Sequence, residues 1–203
     1  MVDPVVSGGI FNWLILISFS FGVAIALGRF WALGRASINR RKFIVELTEA
    51  LSDSDVNAAI AVCARRSTPL SNIIHAGLLR VGKGIRHVEH ALATAGAIEM
   101  GMLEKNLIWL VSVVTVAPML GFIGTVMGII AMFQGVASTA NLSPGVIAGG
   151  IAHALQSTVF GLTVGILMQL AHSFCVIRID RIVADMEQSA QEFVDILVEK
   201  QIV

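Results

Sequence analysis

The stretch LIWLVSVVTVAPMLGFIGTVMGIIAMFQGVASTANLSPGVIAGGIAHALQSTVFGLTVGILMQLAHSFCVI (107–177) contains no Asp, Glu, Lys or Arg over 71 residues. A helix crossing the hydrocarbon core of a bilayer needs about 20 apolar residues. Two spans and a connection therefore fit. The turn-forming group Ser138, Thr139, Asn141, Ser143, Pro144 and Gly145 sits in the middle. The reading is a transmembrane helix over 106–136, a hairpin over 137–144 and a second transmembrane helix over 145–177.

A third span lies nearer the start. Residues 10–33 are predominantly apolar with Arg29 as their one charge, and basic residues follow rather than precede them. That order is the reverse of a secretory signal, so the segment reads as an uncleaved anchor behind a short periplasmic N-terminus, 1–9. Residues 34–106 hold ten of the fourteen Lys and Arg, while 1–9 and 137–144 hold none. The positive-inside rule then places 34–105 and the tail 178–203 in the cytoplasm, N-terminus outside and C-terminus inside.

The composition supports this class. The chain is 56% apolar and 14% charged, with mean hydropathy +0.82. The net charge is zero, so no basic excess exists to neutralise the phosphates of a nucleic acid. Cys63 and Cys175 are too few for a disulfide framework or a Cys-rich metal site, and read as reduced, apolar packing residues. No nucleophile–base constellation points to an enzyme, and no metal or other cofactor is expected. His75, His87 and His90 lack ligand-spaced neighbours and read as solvated.

The cytoplasmic parts look helical. Asp55 is a candidate N-cap for 56–66, Ser67-Thr68-Pro69 ends that helix, and Gly82-Lys83-Gly84 is a further break. From Ile85 the apolar positions Val88, Leu92, Ala95, Ile98 and Met102 follow helical spacing, and one helix is expected to continue into the second span. The same spacing at Ile179, Ile182, Met186, Ala190, Phe193 and Leu197 extends the third span to about residue 199, roughly 80 Å at 1.5 Å per residue. So long an apolar stripe needs partners, and self-assembly around an axis is the economical source.

The third span also holds polar groups that an anchor has no use for: His153, Gln156, Ser157, Thr158, Thr163, Gln169 and His172. The second has Thr125. Ser157 and Thr158 follow His153 at four and five positions, roughly its face. Thr125, His153, Ser157 and Thr158 are the candidate pore-lining residues, because intramembrane polar and ionisable groups mark pathways. The competing reading is that these groups only bond their own helix or glue helices together. Gly121, Gly124 and Gly128 on one span, with Gly149, Gly161 and Gly165 on the other, form ridges that let backbones approach closely.

APMLGFIGTVMGIIAMF (117–133) and SPGVIAGGIAHALQSTVFGLTVGI (143–166) resemble the MotA/TolQ/ExbB proton-channel family, closest to its ExbB/TolQ branch. The shared pattern is a Pro, an LGxxGTVxG run, a short loop, and a GIxEAL…TxxGL run. The resemblance implies an all-α integral membrane protein with three transmembrane helices. Helices 2 and 3 would extend into a cytoplasmic helical region, and the chain would form a homo-oligomeric ring, a pentamer, in the bacterial inner membrane. It implies a motor or stator role. Ion flow (H⁺, with Na⁺ as the alternative) would drive two copies of a single-span partner carrying an intramembrane Asp. The work would serve TonB-dependent transport, Tol-type envelope maintenance or gliding. Thr125 and Thr158 would face that Asp. The acidic residue usual in GIxEAL is His153 here, a group able to donate and accept. The alternative function is a non-conducting membrane scaffold.

Overall fold

In the computed structural model the described residues are 9–36, 40–51, 56–66, 68–139 and 143–202. Among them the regular structure is entirely helical: α1 (Gly9–Ala36), α2 (Arg40–Ala50), α3 (Val56–Ala64), α4 (Pro69–Leu78), a 3₁₀ turn (Val81–Lys83), α5 (Ile85–Glu104), α6 (Leu107–Thr139) and α7 (Pro144–Glu199). Three helices are long and apolar enough to cross a membrane. Apart from Asn106, the stretches read as spans lie within α1, α6 and α7, and α7 runs on to Glu199. The Asp55 cap and the centre of the 137–144 hairpin lie outside the described residues.

The chain divides into two compact units. The first holds α1 up to Gly28 together with Asn106–Phe174. Its core joins Ile15 and Ala26 of α1, Leu110, Val113 and Ala117 of α6, and Val164 and Met168 of α7. These side chains are apolar on both sides of the contact, and lipid is as apolar as they are. Close packing rather than water exclusion therefore holds the helices together. Outward-facing aromatics such as Trp13 and Phe122 are more than half exposed, as lipid-facing groups are.

The second unit holds Arg29–Lys105 and the chain from Cys175 onward. Phe43 and Leu47 of α2, Ile74 of α4, Val88 of α5 and Phe193 and Leu197 of α7 are fully buried. A Cβ on Gly77 would meet Leu92 Cδ2 at 2.8 Å and Phe193 Cε1 at 3.1 Å, so α4 presses against both α5 and α7 there. Arg40 fastens α2 to α7: its guanidinium donates to Ser189 Oγ (3.0 Å), Gln188 Oε1 (2.5 Å) and Glu192 Oε2 (2.7 Å). Thr68 caps α4 in a capping box with Ser71, which is why the chain restarts as helix at Pro69. Gly84, at φ +93°, makes the break expected at 82–84.

The structure corrects one expectation here. Helix does not run unbroken from Ile85 into the second span. It stops at Glu104, Lys105 is extended, and Asn106 takes a left-handed conformation (φ +66°) before α6 begins. Asn is the residue that tolerates this best after Gly. The break leaves the last carbonyls of α5 without helical partners, and the Arg29 guanidinium donates to Leu103 O. A cation at a helix C-terminus also complements its dipole. Arg29→Met is expected to lower stability by about 1.5–3 kcal/mol. SDS titration in detergent micelles measures this, and an unchanged midpoint would show that the cap is dispensable.

Burial pushes the Cys63 thiol up from its usual 9.0 to about 11. The unfolded chain then loses its proton first on raising pH. Stability from this site is complete below pH 9 and declines as pH rises from 9 towards 11. At pH 7.5, alkylation of Cys63 should run about tenfold or more slower than in urea-unfolded chain. Peptide mapping after iodoacetamide treatment reads this out, and equal rates would contradict it.

Candidate functional site

The glycine ridges set the site. A Cβ on Gly121 would lie 2.8 Å from Ser157 O, and one on Gly161 would lie 2.6 Å from Ala117 O. A Cβ on Gly128 would meet Ala154 Cβ at 2.8 Å, and one on Gly165 would meet Pro118 Cγ at 2.8 Å. Backbone therefore touches backbone where α6 and α7 cross. Pro118 has no N–H, so its helix forgoes one bond there, and Gly165 leaves room for its ring.

That approach brings two hydroxyls together. Thr125 Oγ1 and Thr158 Oγ1 form a direct hydrogen bond across the helix pair. Thr125 Oγ1 also lies 3.2 Å from Gly121 O and 3.3 Å from Ala154 O, and Thr158 Oγ1 lies 3.2 Å from Gly121 O. Each carbonyl sits one turn before one of the threonines, so the arrangement is nearly symmetric between the helices. Thr125 is buried at 9% exposure, whereas Thr158 is half-buried.

Proton counting says what this node can do. Two hydroxyls carry two protons. One lies between the oxygens, and the other serves a carbonyl. The remaining lone pairs accept from a protonated carboxyl or from water. A carboxylate, which only accepts, must draw a hydroxyl proton away from its carbonyl. The node therefore responds differently to the two protonation states of an approaching acid.

The other expected site residues separate from this pair. Ser157 is 2% exposed, and a Cβ on Gly124 would meet its Cβ at 2.9 Å, so it packs against α6 in this chain. His153 is exposed. Five residues before Thr158, it lies about 140° around the helix from it. The four-residue and five-residue spacings thus put Ser157 near His153's direction but not Thr158. Gly149 faces open space in this chain, and its neighbour Gly150 meets Met132 instead. The α7 ridge facing α6 is Gly150, Ala154, Ser157, Gly161 and Gly165. The backbone carbonyls of Gly121 and Ala154 are part of the node, and no side-chain motif signals them. Thr163 bonds back to Val159 O at 2.8 Å and faces outward. Among the described residues no group of His, Cys, Asp and Glu is placed to hold a metal.

Comparison with known proteins places this architecture. A profile of the MotA/TolQ/ExbB proton channel family matches residues 65–188. The chain is 31% identical over 175 residues to a Methanothermobacter thermautotrophicus protein named as a biopolymer transport ExbB homolog, covering 86% of this chain and 62% of that relative. It is 31% identical over 113 residues to the Tol-Pal system protein TolQ of Haemophilus influenzae, covering 56% of this chain and 50% of TolQ. It is 33% identical over 110 residues to TolQ of Pseudomonas aeruginosa, covering 54% and 48%. The chain thus spans less than two thirds of the length of each. The matched region contains α5, α6 and most of α7, including the Thr125–Thr158 node. On these grounds the chain belongs to the MotA/TolQ/ExbB proton channel family.

Proposed function

We propose that this chain is the channel-forming subunit of an inner-membrane motor. Several copies, five by family likeness, would surround a single-span partner with an intramembrane Asp. The N-terminus would be periplasmic and the C-terminus cytoplasmic. The carrying observation is the Thr125–Thr158 hydroxyl node on a glycine-tight helix pair. Its half-buried Thr158 offers lone pairs to a protonated carboxyl and a hydroxyl proton to a carboxylate. A partner Asp that gains and loses a proton beside it would be held differently in each state. One charge crossing a potential of about 150 mV releases about 3.5 kcal/mol, scaled from ~2.3 per 100 mV, enough to drive a discrete step. H⁺ is the ion this chemistry fits, and Na⁺ is the alternative. The powered process belongs to the class of biopolymer transport or Tol-type envelope work, by likeness to the relatives.

His153 sits apart from the node in a single chain. Its role in an ion path therefore requires a neighbouring copy or the partner to bring a group to it.

A specific observation favours a second reading. The two hydroxyls bond each other and backbone carbonyls, as interhelical glue in a non-conducting scaffold does. Co-expression with the product of the adjacent gene, followed by native mass measurement, separates the two. The channel reading expects a ring retaining Asp-bearing single-span subunits. A ring that retains none supports the scaffold.

A further inference from the structure

In the second unit an apolar groove of about 630 Å³ lies between α5 and the distal part of α7. Ile73 of α4 lines it, with Ala93 and Gly96 on α5 and Met186, Ala190 and Val194 on α7. Glu89, Glu187 and Asp195 rim it, and among the described residues they make no ion pair. A Cβ on Gly96 would meet only Ile73 Cδ1, at 4.0 Å, so this chain does not fill the space.

The opposite face of α5 carries bulky apolar side chains that this chain leaves uncovered. Ile98 and Met102 are 60% and 51% exposed. Ile98 lies two residues from Gly96, about 200° around the helix and about 3 Å along it. The exposed His87 lies on the same side as Ile98, three turns earlier. An imidazole N–H donates in either charge state, and His87 is level with Glu89 on the rim.

We propose that the groove seats Ile98 and Met102 of a second copy of this chain, with His87 of that copy meeting the acidic rim. Ile98 and Met102 would face Ala93, Gly96 and Ala190, the imidazole donor would face carboxylates, and the two faces stand at one height along α5. A contact between two different faces at equal height is heterologous, and with no rise between copies it closes into a ring when the rotation divides the full turn. The inference rests on the ring reading above and names the surfaces that build it.

The test uses the full chain carrying both Ile98→Cys and Ala190→Cys, with the buried Cys63 and Cys175 retained. A short bis-maleimide should give a ladder of linked copies ending at the closed ring, and neither single variant should. Gly96→Trp should fill the groove from within and lower the assembled fraction at least about tenfold (about 1.4 kcal/mol), with helix content unchanged. Three results would overturn the proposal. One is an intact ring with no linkage; another is a ring unaffected by Gly96→Trp. The third is an Ala190→Cys thiol that is protected from a maleimide only when the single-span partner is present. A wild-type chain that is monomeric by native mass would instead remove the ring reading itself.

Discussion

Thr158→Val should lower ion-driven function at least about tenfold while leaving the amount of assembled protein nearly unchanged. Valine keeps the branched shape but has no hydroxyl. The fold loses one hydrogen bond, worth about 0.5–1.5 kcal/mol. Gly121 O keeps its helical bond, so no carbonyl is left bare. Function loses more on the channel reading, because Thr158 is the more exposed half of the node and would be the half that an approaching carboxyl reaches. Thr125→Val should act in the same direction. Thr158→Ser retains the hydroxyl and should retain most function. Thr163→Val, which removes a hydroxyl bonded only to its own helix, should have no effect on function. Growth or transport that depends on membrane potential reads the series. Equal activity of Thr158→Val and wild type, at equal assembly, would leave the node as helix glue.

Gly161→Leu should abolish assembly of the folded protein. A Cβ at this position lies 2.6 Å from the carbonyl oxygen of Ala117 and 3.1 Å from Gly121 Cα. Both obstacles are backbone, so no side chain can swing aside. The helices must separate, and the Thr125–Thr158 contact goes with them. Gly161→Ala already forces that shift, at about 1–3 kcal/mol for overpacking. Gly149→Ala should be neutral to the single chain, because nothing stands within 4 Å of that position. Gly150→Ala meets only the flexible Met132 side chain and should be milder than Gly161→Ala. Resistance to SDS and yield from the membrane rank the four variants. A Gly161→Leu protein as stable as wild type would contradict the crossing geometry.

The spans were legible because uncharged length is a one-dimensional property. Seventy-one residues without a charge admit few structures, and the glycine and threonine spacing marked the contact faces of α6 and α7. What depended on local backbone was less visible. The α5–α6 break lacks Pro or Gly, and the guanidinium that caps Leu103 O comes from Arg29, far away in sequence. Helical phase decided the rest. His153, Ser157 and Thr158 look like one cluster along the sequence. At 100° per residue Ser157 lies about 40° and Thr158 about 140° around the helix from His153, and α6 claims Ser157 and Thr158. Gly149 and Gly150 show the same sensitivity, since one step of phase exchanges which of them meets the neighbouring helix.

Proton flux into liposomes holding this chain with its single-span partner is the most direct test of the central claim. A potassium gradient with valinomycin sets the potential, and a trapped pH dye reports entry. The account predicts potential-driven acidification that requires the partner's Asp and falls at least about tenfold in the Thr125→Val, Thr158→Val double variant. Flux that is absent from the intact complex, or equal in the double variant, would contradict it.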